Sequence, residues 1–421
     1  MTETTSRIAA VLGLLALSVV SQRASADDGG QPSHIILPDT PAPPGPMQAM
    51  PLLHPGLQLT FYMSVCTLPG NVEQVIRATP GTIFDPNSGW TVYTKDRQFT
   101  GTAGPLEITI AALENGKVVI AGEPFNSYLP TLAADSPPAS AGHDSSMQDV
   151  SANDLVSGQW LEPAQLNQLF NAPPGGCTAV RGPWKDGDHT FDALIFSCQT
   201  PTVQYQSVYD AQSGLLIHRA VVSQGPPPQV VLPGQEPRGD VLLRFMDLMA
   251  VRDLKVPWAG EPMPNWVANT SVMHYQGSHS QSSATGALPS LPIGLDLTFV
   301  EHGDTWVHTV KTGSVAGRPT ANKTDQMWGI AQFGGLWAGP AELANLQNGQ
   351  VLDDDPVTQS QTRVIYVDNQ SVAIGEGNVT GETDWRYDKN SGMLIGMRVI
   401  GRSQLPTPIT TVDQVRLTGR Q

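Results

Sequence analysis

Cysteine is nearly absent from this chain: Cys66, Cys177 and Cys198 are the only three in 421 residues. That is too few for a small disulfide-framed scaffold, and no Cys-x-x-Cys pair exists to hold zinc or run dithiol chemistry. Charge is scarce as well, at 14% of residues, and lopsided, with 38 acidic against 23 basic side chains for a net −15. So acidic a chain offers nucleic acid and anionic lipid surfaces little to hold. Beyond the first twenty residues no apolar run approaches the length of a membrane-crossing helix. His-Glu-x-x-His, a glycine-rich phosphate loop, Gly-x-Ser-x-Gly and Ser-x-x-Lys are all missing. No catalytic residue is therefore assigned, no cofactor is required, and paired glycosidase carboxylates, which leave no spacing to find, stay open.

Glycine and proline are plentiful instead, at 41 and 36 residues. Together with the low charge they suit an exported, turn-rich β protein better than a helical bundle. Met1 to Ala26 has the anatomy of a secretory signal: Arg7, an apolar run from Ile8 to Val20, and Ala24-Ser25-Ala26 as a small-x-small cleavage site. The expected location is periplasmic or extracellular, with no transmembrane segment once the signal is removed. Residues 27–54, rich in Pro and Gly and without period, read as an extended leader.

The chain also repeats itself. Gly158, Trp160, Pro163, Ala164, Leu166 and Leu169 recur as Gly335, Trp337, Pro340, Ala341, Leu343 and Leu346, a shift of 177. Tyr209-Asp210-x-x-Ser213-Gly214-x-Leu216-Ile217 returns as Tyr387-Asp388-x-x-Ser391-Gly392-x-Leu394-Ile395, a shift of 178. Blocks that drift by one residue over some fifty positions indicate a duplicated structural unit. The expected fold is mainly β: two diverged copies of a curved antiparallel sheet, each covered by one short amphipathic helix that starts at a proline. A first repeat over 55–255 would carry a mobile loop at 133–153, residues 256–266 would be a linker, and 267–421 the second repeat. Asn115-Gly116 and Asp368-Asn369-Gln370 sit where hairpins should turn. Ser278 to Ser290 reads as a Ser/Gly/Ala loop.

Each candidate site has a plain structural alternative. Asp353, Asp354 and Asp355 follow an Asn-Gly turn and can present oxygens to calcium, although adjacent carboxylates in a loop are commonly just solvated. His302, Asp304 and His308 supply two imidazoles and a carboxylate for zinc, but Gly303-Asp304 is also an ordinary turn. Trp160, Leu166, Leu169, Trp337, Leu343 and Leu346 either roof a cavity or close a packed core. Cys177 and Cys198 can close a loop of about twenty residues, worth on the order of 3 kcal/mol. Cys66, in an apolar strand-like run, reads as a buried thiol. Three functions fit: a binding protein holding an apolar small molecule or lipid between curved sheets and covering helices, a scaffold that meets a protein partner, or a polymer hydrolase or lyase with unlocated carboxylates.

Overall fold

The computed structural model describes residues 53–69, 75–79, 91–94, 98–123, 144–149, 155, 158–186, 189–200, 203–225, 239–377, 381–403 and 409–421. The expected signal and nearly all of the expected leader lie outside them. Among the described residues the structure is mostly β, 64% strand and 7% helix, in antiparallel sheets with three short helices.

Along the sequence the strands are β1 (Leu57–Leu68), β2 (Val75–Thr79), β3 (Thr91–Thr94), β4 (Gln98–Thr100), β5 (Thr102–Glu114), β6 (Lys117–Glu123) and β7 (Asp144–Asp149). Helix α1 (Pro163–Asn171) precedes β8 (Cys177–Asp186), β9 (His189–Gln199), β10 (Val203–Asp210), β11 (Leu216–Gln224) and β12 (Val241–Asp253). The one-turn α2 (Asn265–Ala268) leads to β13 (Val272–Ser283), β14 (Gly286–Ala287), β15 (Leu291–His302), β16 (Trp306–Val315) and β17 (Arg318–Gly329). Helix α3 (Pro340–Asn345) is followed by β18 (Val351–Asp354), β19 (Gln361–Val367), β20 (Ser371–Gly377), β21 (Gly381–Asp388), β22 (Leu394–Ser403) and β23 (Ile409–Arg420).

Two compact units share this chain. Thr60–Leu106 and Ser151–Ala250 belong to the first; Leu53–Leu59, Glu107–Val150 and Val251–Gln421 belong to the second. In the first unit the order is β12-β11-β10-β9-β8, with β2-β3-β4 as a separate small sheet. In the second the order is β17-β16-β15-β13-β23-β22-β21-β20-β19-β18, with β14 added to β13, and β5-β6-β7 form a further antiparallel run.

Each unit builds the same latch, and the reason is local. Pro163 and Pro340 stand in the first turn of α1 and α3, where a missing N–H costs nothing and φ is already helical. The helices lay Leu166 and Leu343 inward, both fully buried. In the hairpin that follows, Asp210 Oδ2 accepts from the N–H and hydroxyl of Ser213 at 2.7 and 2.6 Å, and Asp388 Oδ2 from those of Ser391 at 2.8 and 2.6 Å. Gly214 and Gly392 then take φ of 73° and 68°, which a side chain rarely adopts. Leu161 and Ala338 donate N–H bonds of 2.9 Å to the carbonyls of Gly214 and Gly392, tying the segment before each helix to its hairpin. Trp160 pairs with Leu215 and Trp337 with Met393 by isolated bridges.

Trp258, Trp337, Trp385, Tyr275 and Tyr387 are buried together in the core of the second unit. Trp258, part of the expected linker, meets Phe333 edge-on at 5.6 Å between centroids. The β5–β6 hairpin turns at Asn115 and Gly116, both with positive φ, as an Asn-Gly turn requires. Within the second unit it packs Ala111, Ala112, Val119 and Ala121 on Trp306 and Met327. A Cβ at Gly329 would collide with the backbone of Ala111, and the Ala331 N–H donates to the Ala111 carbonyl at 2.9 Å.

Two loop expectations need correction. Within 133–153, expected to be a mobile loop, Asp144–Asp149 forms β7 and pairs with Lys117–Gly122. An added strand is held by main-chain hydrogen bonds, which need no apolar period to signal them. Within Ser278 to Ser290, β13 continues to Ser283 because β23 pairs with it as far as Ser283↔Ile409.

Candidate functional site

In the second unit a group of buried polar and charged side chains surrounds Arg252, close to the end of β12. The guanidinium Nε donates to Gln58 Oε1 on β1, Nη1 to Asp353 Oδ1 at 2.7 Å, and Nη2 to Asp355 Oδ2 at 3.0 Å. Gln58 is steadied in turn by its Nε2–H bond to Thr109 Oγ1 on β5 at 3.2 Å. Asp355 sits just past β18 in an Asp-Pro turn, where its other oxygen accepts the N–H of Val357 at 2.7 Å and of Thr358 at 3.2 Å. The side chain of Asp355 is fully buried, and those of Arg252 and Asp353 are 11% and 15% exposed.

Burial alone would push the Asp355 carboxyl up. The Glu107 carboxyl, the Arg252 guanidinium and the N–H groups of Val357 and Thr358 outweigh it and hold Asp355 below the usual carboxylate range. For Arg252 burial works against the charge, and Asp353, Asp355 and Glu107 more than compensate, so its proton is held unusually tightly.

A small cleft opens over this cluster, with a cavity volume of about 20 Å³, room for little more than a water-sized group. Gln58, Glu107, Thr109, Thr362 and Glu376 line it beside Arg252 and Asp353, and Leu254 and Phe333 give it an apolar side. Gln332 also lines it. The Gln332 Oε1 accepts the Gly329 N–H at 3.1 Å, and among the described residues its Nε2 has no protein acceptor. The Thr362 hydroxyl, on a residue only 2% exposed, likewise has no partner there. The cleft therefore offers an amide donor, a hydroxyl and carboxylate oxygens from groups already fixed by packing.

Asp353 and Asp355 both aim at the Arg252 guanidinium, while Asp354 lies next to them at the exposed end of β18. The histidine candidates do not converge. His308 Nε2 lies 2.9 Å from Asp325 Oδ1, and the His302 ring lies 3.1 Å from the Gly303 carbonyl oxygen. The Asp304 N–H donates to the Glu114 carboxylate. Among the described residues no group of three or more His, Cys, Asp or Glu is arranged to hold a metal ion. Trp160 and Trp337 are each 1% exposed; Leu346 is 6% exposed, and Leu169 remains half-buried. Cys177 and Cys198, directly opposite each other on β8 and β9, are disulfide-bonded. Cys66 is a free, buried thiol whose pKa burial pushes up.

Sequence reasoning found the two aspartates but missed Arg252, Gln58, Glu107, Gln332 and Thr362. Each reaches the cleft from a different strand or loop.

No protein-family model matches the chain. No curated protein matches it either. Among solved structures it is similar to a protein of unknown function of the DUF3598 family from Nostoc punctiforme PCC 73102. That match has 11% identity over 86% of this chain and 96% of the other, with a TM-score of 0.14. So low a score carries no argument about fold or function, and the site has to be judged on its own chemistry.

Proposed function

We propose that this is an exported binding protein that takes a small, hydrogen-bonding polar ligand into the cleft beside Arg252. One observation carries the reading: the Gln332 Nε2 and the Thr362 hydroxyl, both on buried residues lining that cleft, have no protein partner among the described residues. Polar groups on buried residues normally have partners, so donors left open at a cleft favour a ligand that supplies them. The lining also favours a polar ligand over the apolar one expected from sequence. Leu166 and Leu343 beneath the covering helices are fully enclosed by protein, whereas the cleft is walled largely by carboxylates, amides and hydroxyls. Export rests on the N-terminal Met1 to Ala26 pattern and belongs to the same proposal. The enclosed helix leucines also suit the scaffold reading, in which the Arg252 cluster only locks the fold.

Native mass spectrometry of the protein purified from its own host tests the choice. A retained polar adduct, lost or weakened about fivefold in Thr362→Val, is the expected outcome, since one hydrogen bond is worth about 1 kcal/mol. A retained lipid would favour apolar carriage, and a bare mass would favour the scaffold.

A further inference from the structure

The two latches differ at one buried cross-strand pair. In the second unit Trp385 lies opposite Met397, 1% and 7% exposed. A shift of 178 carries that pair onto Ser207 and Arg219, which face each other in the first unit in the same register, 0% and 5% exposed, just before the same bulge. Where one copy fills the position with an indole and a thioether, the other buries a guanidinium.

Among the described residues only neutral oxygens meet that guanidinium. Nε donates to Ser207 Oγ at 3.2 Å, and Nη2 donates to Tyr209 Oη at 2.8 Å and to the Gly158 carbonyl. The two hydroxyls pass their own hydrogens on, Ser207 to the Leu155 carbonyl at 2.7 Å and Tyr209 to the Gly158 carbonyl at 3.2 Å. Among the described residues no carboxylate pairs with Arg219, and Nη1 has no protein partner. Burying a cation without a counter-charge is costly, and the second copy shows that the latch folds without one. The latch as such does not require the cation.

We propose that Arg219 anchors a second binding site, in the first unit, for a ligand carrying a single carboxylate. That carboxylate would accept hydrogen bonds from Nη1 and supply the missing negative charge. The class follows from the geometry: one nitrogen with two hydrogens suits one carboxylate group, whereas a phosphate dianion calls for more cationic charge than the cluster holds. This proposal is independent of the Arg252 cleft, which uses none of these residues.

Thermal unfolding of the full protein tests it, comparing sodium propionate, sodium decanoate and sodium phosphate with sodium chloride at matched ionic strength. Carboxylate should raise the wild-type midpoint in a concentration-dependent way. A rise in both carboxylates identifies the headgroup alone as the ligand, and a rise only in decanoate identifies an acid with an alkyl chain. Arg219→Met, which copies the second unit, and Arg219→Gln, which keeps donors but not charge, should lose the response. No rise in the wild type with either carboxylate, a larger rise with phosphate, or a response kept in Arg219→Gln overturns the proposal. If neither variant folds, NMR on the wild type decides: a nuclear Overhauser contact between Arg219 Nη protons and the methylene of propionate supports the site, and its absence at saturating propionate refutes it.

Discussion

The Tyr387 hydroxyl donates to the Gly335 carbonyl at 3.0 Å across fifty-two residues of chain, and the Tyr209 hydroxyl donates to the Gly158 carbonyl at 3.2 Å across fifty-one. Both tyrosines are fully buried, so each bond is shielded from water on the inner face of a latch. The backbone closes the outer face. A Cβ on Gly214 would strike the Leu161 carbonyl oxygen, and one on Gly392 would strike that of Ala338. Gly214→Ala and Gly392→Ala should each destabilise by more than about 1 kcal/mol, because a left-handed φ and a backbone collision add. Denaturant unfolding of the two variants checks this, and equal midpoints with the wild type would refute the latch.

Arg252→Met should cost about 3–5 kcal/mol, since it leaves Asp353 and Asp355 partly or wholly buried without their cation. The effect should shrink in acid. Asp355 is depressed in the folded state, so its contribution is complete above the ordinary aspartate value, about 3.9, and is lost as pH falls through its lower folded value. Urea unfolding of wild type and variant at neutral and acid pH measures both effects.

Asp384 on β21 behaves in the opposite way. Burial and the neighbouring Glu382 push its carboxyl up to about 6, against the partial help of Arg398. The folded protein therefore keeps a proton there between about 4 and 6, where the unfolded chain releases it, and stability falls as pH rises through that window. Asp384→Asn, which imitates the protonated form, should flatten the fall and gain on the order of 2 kcal/mol at pH 7. Unfolding free energies measured across pH 4–7 test this; a variant that is less stable at pH 7 contradicts the assignment.

Replacing both Cys177 and Cys198 with alanine should cost about 3 kcal/mol through the loop closed over 21 residues. Melting the variant beside the wild type, without reductant, reads the difference.

What could be read from sequence was local. Asp-x-x-Ser-Gly sets its own turn and Pro sets the start of its own helix, so both latches were legible without any long-range contact. The cleft was not, because its partners are remote: Arg252 meets Gln58 across 194 residues and Asp355 across 103. Asp353 and Asp355 stood out as adjacent carboxylates, yet nothing nearby in sequence shows that an arginine neutralises them. Arg219 was hidden for a different reason. It lies just outside the repeated signatures, and only strand register reveals that Met397 occupies its place in the second copy.

The reading of the fold and the Arg219 proposal stand on one latch built twice. Native-state hydrogen exchange tests it most directly, through the N–H groups of Leu161, Gly214 and Leu216 in the first unit and of Ala338, Gly392 and Leu394 in the second: those of Leu161, Leu216, Ala338 and Leu394 are bonded across their latches, and those of Gly214 and Gly392 close the hairpin turns onto Asp210 and Asp388. Each trio should be strongly protected and should exchange as one cooperative group. Rapid or unrelated exchange within either trio would contradict the duplication.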